Sequence, residues 1–385
     1  MRFFHLSDLH LGLKLQQKGM LEDQRHILEE IAALAGERQP DAVVIAGDIY
    51  DHADPSAEAV TLFDAFLGML RQAAPDAVIL AISGNHDSAQ RLNVYRGILS
   101  REHVYMIGLP PMRAGEHVAQ VTLEDGFGPV HFYLLPFVKP AMVRAITKKD
   151  EDEPRLSYDE ALHRLMAREA VDTSARNVLV SHQFYLPTGV MAEDAPRADT
   201  EVHAVGNIDA VRADVLAPFD YAALGHIHKA WHWAGGRACY CGAPLATSFS
   251  EADTVKYLRE VTLEEKGTVR IERFALHPAH PVRILRGTLE TLLAGHSEDY
   301  VRLVLTEDAQ ENRADVRDRL RACYPNFLEI QRERLADRGI AVDFDETIEA
   351  LTSDPFELCE AFLQGELRPE ELAELADILH AVEGV

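Results

Sequence analysis

Apolar positions along this chain follow two periods, and the two alternate. Short apolar, β-branched runs predict strands at residues 2–7 (RFFHLS), 41–47 (DAVVIAG), 76–83 (DAVILAIS), 131–137 (HFYLLPF), 177–182 (NVLVSH) and 220–226 (DYAALGH). Helical patterns lie between them. EDQRHILEEIAALAGERQ (22–39) places Ile27, Leu28, Ile31, Leu34 and Ala35 on one face. PSAEAVTLFDAFLGMLRQ (55–72) opens with a Pro-Ser helix start and carries a similar stripe. Strands alternating with helices predict an α/β domain whose sheet is at least partly parallel. In such sheets ligands bind beyond the carboxyl ends of the strands.

The alternation breaks around residues 275–283, where prolines concentrate in ALHPAHPVR. A domain boundary is placed there, which divides the chain into 1–277, 278–338 and 339–385. Beyond the boundary, DYVRLVLT (299–306), ENRADVRDRLRACY (311–324) and FLEIQRER (327–334) predict a small β-α-β unit. The acidic stretch RPEELAELADILHAV (368–382) predicts a helix striped with Leu372, Leu375, Leu379 and Val382. That stripe serves either packing on its own domain or docking of a partner. Residues 147–157 and 187–207 are polar or turn-rich and read as surface loops.

Composition narrows the class. A chain of 385 residues that is 47% hydrophobic and 26% charged is long enough for two or three globular domains. No apolar run reaches the roughly 18 residues of a membrane span, and MRFFHLSDLH lacks the pattern of a signal peptide, so a cytoplasmic location is expected. The four cysteines, Cys239, Cys241, Cys323 and Cys359, form no CxxC pair and read as reduced core thiols. The formal net charge of −25 excludes a general nucleic-acid coat protein. It does not exclude nucleic acid, because carboxylates that hold divalent cations are offset by the bound metal.

Five polar clusters each follow an apolar run: SDLH (Asp8, His10), GDIYD (Asp48, Asp51), GNHD (Asn85, His86, Asp87), SH (His182) and GHIH (His226, His228). Polar side chains gathered at strand tips cost desolvation energy unless something pairs with them. Imidazole, carboxylate and amide oxygen together suit divalent Mn, Fe or Zn, and no cysteine is placed to make a structural zinc site. The donors are too many for one ion. A carboxylate shared by two ions roughly 3.5–4 Å apart fits, and such a pair serves in-line displacement at phosphorus. Gly47, Gly84 and Gly225, just before Asp48, Asn85 and His226, give the backbone room to turn.

The ordered set DLH, GDIYD, GNHD, SH and GHIH, spanning residues 8–228, resembles the calcineurin-like metallophosphoesterase motifs. FFHLSDLHLG, YCGAPLATSFSE (240–251) and about a hundred residues beyond the motifs resemble its SbcD-type branch, the double-strand-break repair nucleases. The resemblance implies an α/β fold, a β-sandwich flanked by helices, followed by a small α+β capping domain and C-terminal helices. It implies two divalent metal ions, Mn2+ in first place with Fe2+ or Zn2+ suited to the same ligands. Asp8, His10 and His228 would hold one ion, Asn85, His182 and His226 the other, and Asp48 would bridge them. His86 would meet the scissile phosphate, with Asp87 orienting it. Some relatives carry histidine at the position of Asp51; here His52 stands next to it, and Asp51 is assigned a supporting role behind the ligands.

The implied activity is exonuclease on duplex ends, 3′ to 5′, and endonuclease on single strands and hairpins. The implied partners are DNA, a second copy of the chain and an SbcC-type coiled-coil ATPase docking on the C-terminal helices. No GxxxxGK[ST] pattern occurs, so ATP dependence would come from that partner. Lys14, Lys18, Arg25, Arg91 and Arg96 follow the metal motifs and are candidates for phosphate contacts, as is the basic strip 316–334; the first helices after residue 20 are candidates for the dimer interface. Two other classes compete. An esterase of small phosphodiesters explains the motifs equally well but not the last third of the chain. A catalytically inert scaffold is expected to have lost ligands, whereas all eight positions are filled here.

Overall fold

The structure, a computed structural model, describes residues 1–148, 154–196, 198, 209–306 and 313–333. The chain opens on β1 (Arg2–Leu6), makes a tight hairpin of β2 (Lys14–Leu15) and β3 (Lys18–Gly19), and runs through α1 (Leu21–Arg38) into β4 (Ala42–Ala46). Helix α2 (Ala57–Ala73) leads to β5 (Val78–Ile82), and the short helices α3 (Ala89–Leu92) and α4 (Arg96–Leu99) lead to β6 (Val104–Ile107). Then come β7 (Ala119–Asp125), β8 (Gly128–Leu135), α5 (Pro140–Thr147), α6 (Tyr158–Met166) and β9 (Arg176–His182). The strands β10 (Phe184–Leu186), β11 (Ala210–Arg212), β12 (Tyr221–Gly225), β13 (Trp231–Trp233), β14 (Ala238–Tyr240), β15 (Tyr257–Leu263) and β16 (Val269–Ala275) follow. Last are β17 (Val282–Gly287), α7 (Leu289–Leu293), β18 (Tyr300–Leu305), α8 (Arg313–Cys323) and β19 (Phe327–Arg332).

Two six-stranded mixed sheets carry the architecture. One runs β16-β15-β1-β4-β5-β6, with β1, β4, β5 and β6 parallel; the other runs β13-β14-β12-β9-β8-β7, with β8, β9, β12 and β14 parallel. The predicted strands are β1, β4, β5, β8, β9 and β12, six of the eight inner strands of the two sheets; the inner strands β14 and β15 are not among them. The six read as unbroken apolar runs because both of their faces are buried, as in Ala42–Ala46 and Val78–Ile82, where every residue is buried. Between the sheets, Phe3, Val44, Leu80 and Ile82 meet Phe132, Val178, Val180 and Tyr221, with the Phe3 and Phe132 rings edge to face at 5.4 Å.

Helices cover the outer faces. α1 and α2 seat Ile27, Leu28, Ile31, Leu62, Phe63 and Phe66 on the first sheet. Ser56 starts α2 by accepting the Ala59 N–H, and Ser157 and Glu160 form a reciprocal capping box on α6. The edge strands β7 and β16 are partly exposed and less apolar, and escape a reading based on apolar runs.

Past the prolines a three-stranded sheet, ordered β17-β18-β19, packs on α7 and α8 around Leu292, Leu303, Leu305 and Leu320. The predicted β-α-β unit is β18-α8-β19; β17 and α7 add to it. Tyr300 donates to Asp23 of α1 at 2.8 Å, and Leu15, Met20, Phe249, Val282 and Tyr300 share one apolar cluster. The compact unit runs from Met1 to Gln331, and a second unit follows from Arg332. The helix predicted at 368–382 and Cys359 lie outside the described residues. Among the described residues no helix is long and apolar enough to cross a membrane.

Candidate metal centre

Because β1, β4 and β5 are parallel in one sheet and β9 and β12 in the other, their carboxyl ends bring five loops together. Asp8 and His10 follow β1, Asp48 and Asp51 follow β4, and Asn85, His86 and Asp87 follow β5. His182 ends β9, and His226 and His228 follow β12. The Asp8 and His10 amides donate to the carbonyls of Gly47 (3.0 Å) and Asp48 (3.1 Å), which locks the first two loops together.

Asp8, His10, Asp48 and His226 are held at φ of 54°, 44°, 49° and 104°. A non-glycine residue in this region costs on the order of 1–3 kcal/mol, and it persists only where its surroundings over-determine it. Gly47 (φ 89°) and Gly84 are glycine for want of room: a Cβ on the first would overlap the His182 ring, and on the second the Asp48 carboxylate.

The donor atoms fall into two groups. In the first, His10 Nε2 and His228 Nε2 face each other at 3.0 Å, with the Asp8 carboxylate beside them. In the second, Asn85 Oδ1 lies 3.1 Å from His182 Nε2 and 2.9 Å from His226 Nδ1. Asp48 stands between the groups. Its Oδ1 accepts the His86 N–H at 2.9 Å, while Oδ2 lies 3.2 Å from His182 Nε2 and 3.8 Å from His10 Nε2.

Hydrogen bonds fix the tautomers. His182 Nδ1 donates to the Ala46 carbonyl at 2.7 Å, an oxygen that can only accept, so Nε2 is the nitrogen that carries the lone pair once the ring is neutral. His228 Nδ1 donates to Thr247 Oγ1 (2.9 Å), and that hydroxyl in turn donates to Glu251 Oε2 (2.7 Å). His10 Nδ1 lies 3.3 Å from Asp51 Oδ1. The Nε2 atoms of His10 and His228 therefore converge. Burial opposes a charge on His10, but Asp51, Asp48 and Asp8 raise its pKa, so either a proton shared by the two Nε2 atoms or a metal ion in its place satisfies the pair, and this donor set fits divalent metal.

The charge balance points the same way. Burial works against the charged form of Asp48, but the histidines around it, His182 first, hold its carboxyl well below the usual range. Burial likewise opposes a charge on His182, yet the Asp48 carboxylate raises its imidazolium to about 9. Burial, reinforced by His10, holds His228 neutral. Burial and the neighbouring Asp48 push the Asp8 carboxyl up.

Three other residues support the cluster. Asp87 accepts the N–H groups of Ile49 (3.1 Å), Tyr50 (2.9 Å) and Gly84 (2.9 Å) and so ties two loops together. Burial and the Asp48 charge push its carboxyl up to about 6. The expectation that Asp87 orients His86 is corrected by these bonds. It is the carbonyl of Asp51, accepting from His86 Nδ1 at 2.8 Å, that holds the ring. Asp51 thus has two supporting contacts, its carboxylate on His10 and its carbonyl on His86.

The motif reading gave no role to the set behind His228. Thr247 and Glu251 lie in YCGAPLATSFSE, and buried Lys256 binds both Glu251 and the His228 carbonyl (3.2 Å). Ser7 donates to Asp8, and Cys241 lies 2.9 Å from the Ser7 hydroxyl. The signal for the first set was the cluster of polar residues in a stretch quoted only for its glycine and proline.

The model of the calcineurin-like phosphoesterase family matches residues 1–230. That of the SbcD C-terminal domain, described as the type 5 capsule protein repressor C-terminal domain, matches residues 278–366. Among solved structures, the chain is similar to a dimetal phosphatase from Danio rerio at 14% identity and TM-score 0.41, covering 72% of this chain and 99% of that one. It is also similar to GAP50, the anchor in the inner membrane complex of Plasmodium, at 10% identity and TM-score 0.42, covering 87% of this chain and 98% of that one.

Two outcomes follow from the site. A ligating imidazole must be neutral, and His182 keeps its proton up to about 9 in the metal-free protein. Mn2+ binding at pH 7.5 therefore releases protons, and affinity climbs as pH rises toward 9. Calorimetric titration in buffers of different ionisation heat reads this directly; identical heats in all buffers contradict it. Thr247→Val removes the hydroxyl that fixes His228. It lowers metal affinity about 10–100-fold by equilibrium dialysis while the fold is kept; unchanged affinity would remove Thr247 from the site.

Proposed function

The chain belongs to the calcineurin-like phosphoesterase family and has the two-part architecture of SbcD-type nucleases, and on that premise we propose that it is a metal-dependent DNA nuclease. Its substrates in this reading are duplex ends, hairpins and single strands, processed in the cytoplasm as the nuclease subunit of an SbcCD-type complex. One observation carries the reading: a buried two-group donor cluster and an SbcD C-terminal domain on the same chain. An esterase of small phosphodiesters accounts for the first but gives no purpose to the second.

Asp8, His10 and His228 would hold one divalent ion, and Asn85, His182 and His226 the other, with Asp48 between them. Mn2+ heads the choices, and Fe2+ and Zn2+ suit the same donors. Bound there, the ions supply Lewis acidity at phosphoryl oxygens and lower the pKa of a water. The residues do the rest. His86 stands beside the ligands, its ring centroid 4.9 Å from that of His10 and nearly perpendicular to it. The Asp51 carbonyl fixes its Nδ1–H, which leaves Nε2 for the scissile phosphate. As an imidazolium it stabilises charge there and protonates the leaving oxygen. Asp87 keeps the loops of Asp48 and Asn85 in register.

For DNA, Lys14, Arg25 and Arg96 are exposed, Arg91 pairs with Asp54 at 2.5 Å, and Lys18 lies over the Tyr300 ring at 5.8 Å. The reading divides the chain into a nuclease domain (1–277), a capping domain (278–338) and a segment (339–385) that docks an SbcC-type ATPase. A homodimer belongs to it too, and Val94, Tyr95 and Ile98, exposed apolar residues after the Asn85 loop, favour a contact there.

The test is one assay with Mn2+, offering end-labelled duplex, closed hairpin, single-stranded circles and bis-p-nitrophenyl phosphate. His86→Gln lowers DNA cleavage about 10²–10⁴-fold while two metals stay bound. Hydrolysis of the small ester with all DNA intact, even with the ATPase partner and ATP, would overturn the nuclease reading. Loss of metal from the variant would make His86 a ligand instead.

A further inference from the structure

At one open side of the sandwich the chain buries a positive charge for which no described residue supplies a partner. Arg259 on β15 is 3% exposed. Its guanidinium makes no hydrogen bond or ion pair with any described residue, and its Nε is buried without a partner. It lines a cavity of about 560 Å³ together with His232 and Trp233 of β13, the turn Gly235–Gly236, Val269, Ile271 and Arg273. No carboxylate lines this cavity, in a chain whose formal net charge is −25. The acidic residues of the same strands are engaged elsewhere: Glu260 and Glu272 both pair with Arg38.

The second arginine sharpens the point. Arg273 of β16 is the cross-strand partner of Arg259 in the antiparallel ladder. Like charges directly opposite each other on neighbouring strands repel. Arg273 is exposed and is held over the Tyr257 ring at 5.4 Å, with no acidic partner among the described residues. The remaining titratable neighbours bring no negative charge. His232 is paired in register with Cys239, whose thiol is raised chiefly by burial. His5, opposite Arg259 in β1, is kept neutral by burial and by the Arg259 charge, and its Nε2 is also buried without a partner. An uncompensated buried charge is among the most destabilising features a fold can carry, and a bound counter-ion removes the penalty.

We propose that this edge of the sandwich is an anion site, with Arg259 and Arg273 as a two-guanidinium clamp for a phosphate-type dianion, free or as the phosphate of a mononucleotide. Two planar guanidinium forks match phosphate oxygens better than they match a monovalent halide. The glycine turn at φ 67° and 89° leaves the mouth of the cavity free of side chains on that side. The inference is independent of the nuclease reading, since it uses none of the metal-cluster residues.

The experiment uses the full chain stripped of metal, so that phosphate has no metal ions to bind. Orthophosphate and thymidine 5′-monophosphate are titrated by calorimetry at constant ionic strength in chloride. One site per chain is expected, with affinity lowered at least tenfold in Arg273→Gln, an exposed edge-strand change that keeps the fold. Arg259→Met is expected to abolish the phosphate-induced rise in melting temperature seen in the unaltered chain. Phosphodiesterase activity of metal-loaded Arg273→Gln stays unchanged. Absence of binding to the metal-free chain, or equal affinity in Arg273→Gln, overturns the proposal. Preference for orthophosphate or for the nucleotide identifies which source of phosphate the clamp takes.

Discussion

Two imidazole Nε2 atoms aimed at each other across 3.0 Å are the constraint on which the rest of this structure depends. His10 and His228 come from different sheets, and each is held in that orientation from behind, by Asp51 and by Thr247. The sheets hold them there, because β1 and β12 are buried and their loops are tied by hydrogen bonds. The cluster is a convergent set of donors on a rigid mount, and a site of this kind is pre-organised for cations. Strain at Asp8, His10, Asp48 and His226 is part of the same arrangement: the backbone is bent so that donors meet, at positions where glycine would relieve the strain but supply no ligand.

Much of this was legible in the sequence, for identifiable reasons. Central strands buried on both faces appear as unbroken apolar runs, and polar residues that follow such runs stand out. That is why the polar clusters after β1, β4, β5, β9 and β12 point to one place. The edge strands β7, β13 and β16 were not legible, since half their residues face solvent and their apolar content is diluted. β17 begins at Val282, inside a stretch whose prolines argue for a break.

At the site, the illegible part is backbone chemistry. The Asp51 carbonyl holds His86, but a carbonyl is common to every residue and leaves no trace in residue type. Asp87 was read as a partner of its neighbour His86 by adjacency, whereas it caps amides at Ile49 and Tyr50, more than thirty positions away. The Thr247–Glu251–Lys256 chain lies some twenty residues past His228 and reaches it only through the fold. Local charge is equally hidden. A net charge of −25 gives no hint that Arg259 and Arg273 face each other in a cavity without carboxylates.

The central claim is that the donors form one site for two ions arranged about Asp48. Crystals of the full chain grown with Mn2+ and measured at the manganese absorption edge test it most directly. The account predicts two anomalous peaks per chain roughly 3.5–4 Å apart, flanking the Asp48 carboxylate, one near His10 and His228 and the other near His182 and His226. A single peak in the cluster, or two peaks with Asp48 bound to neither, would contradict it.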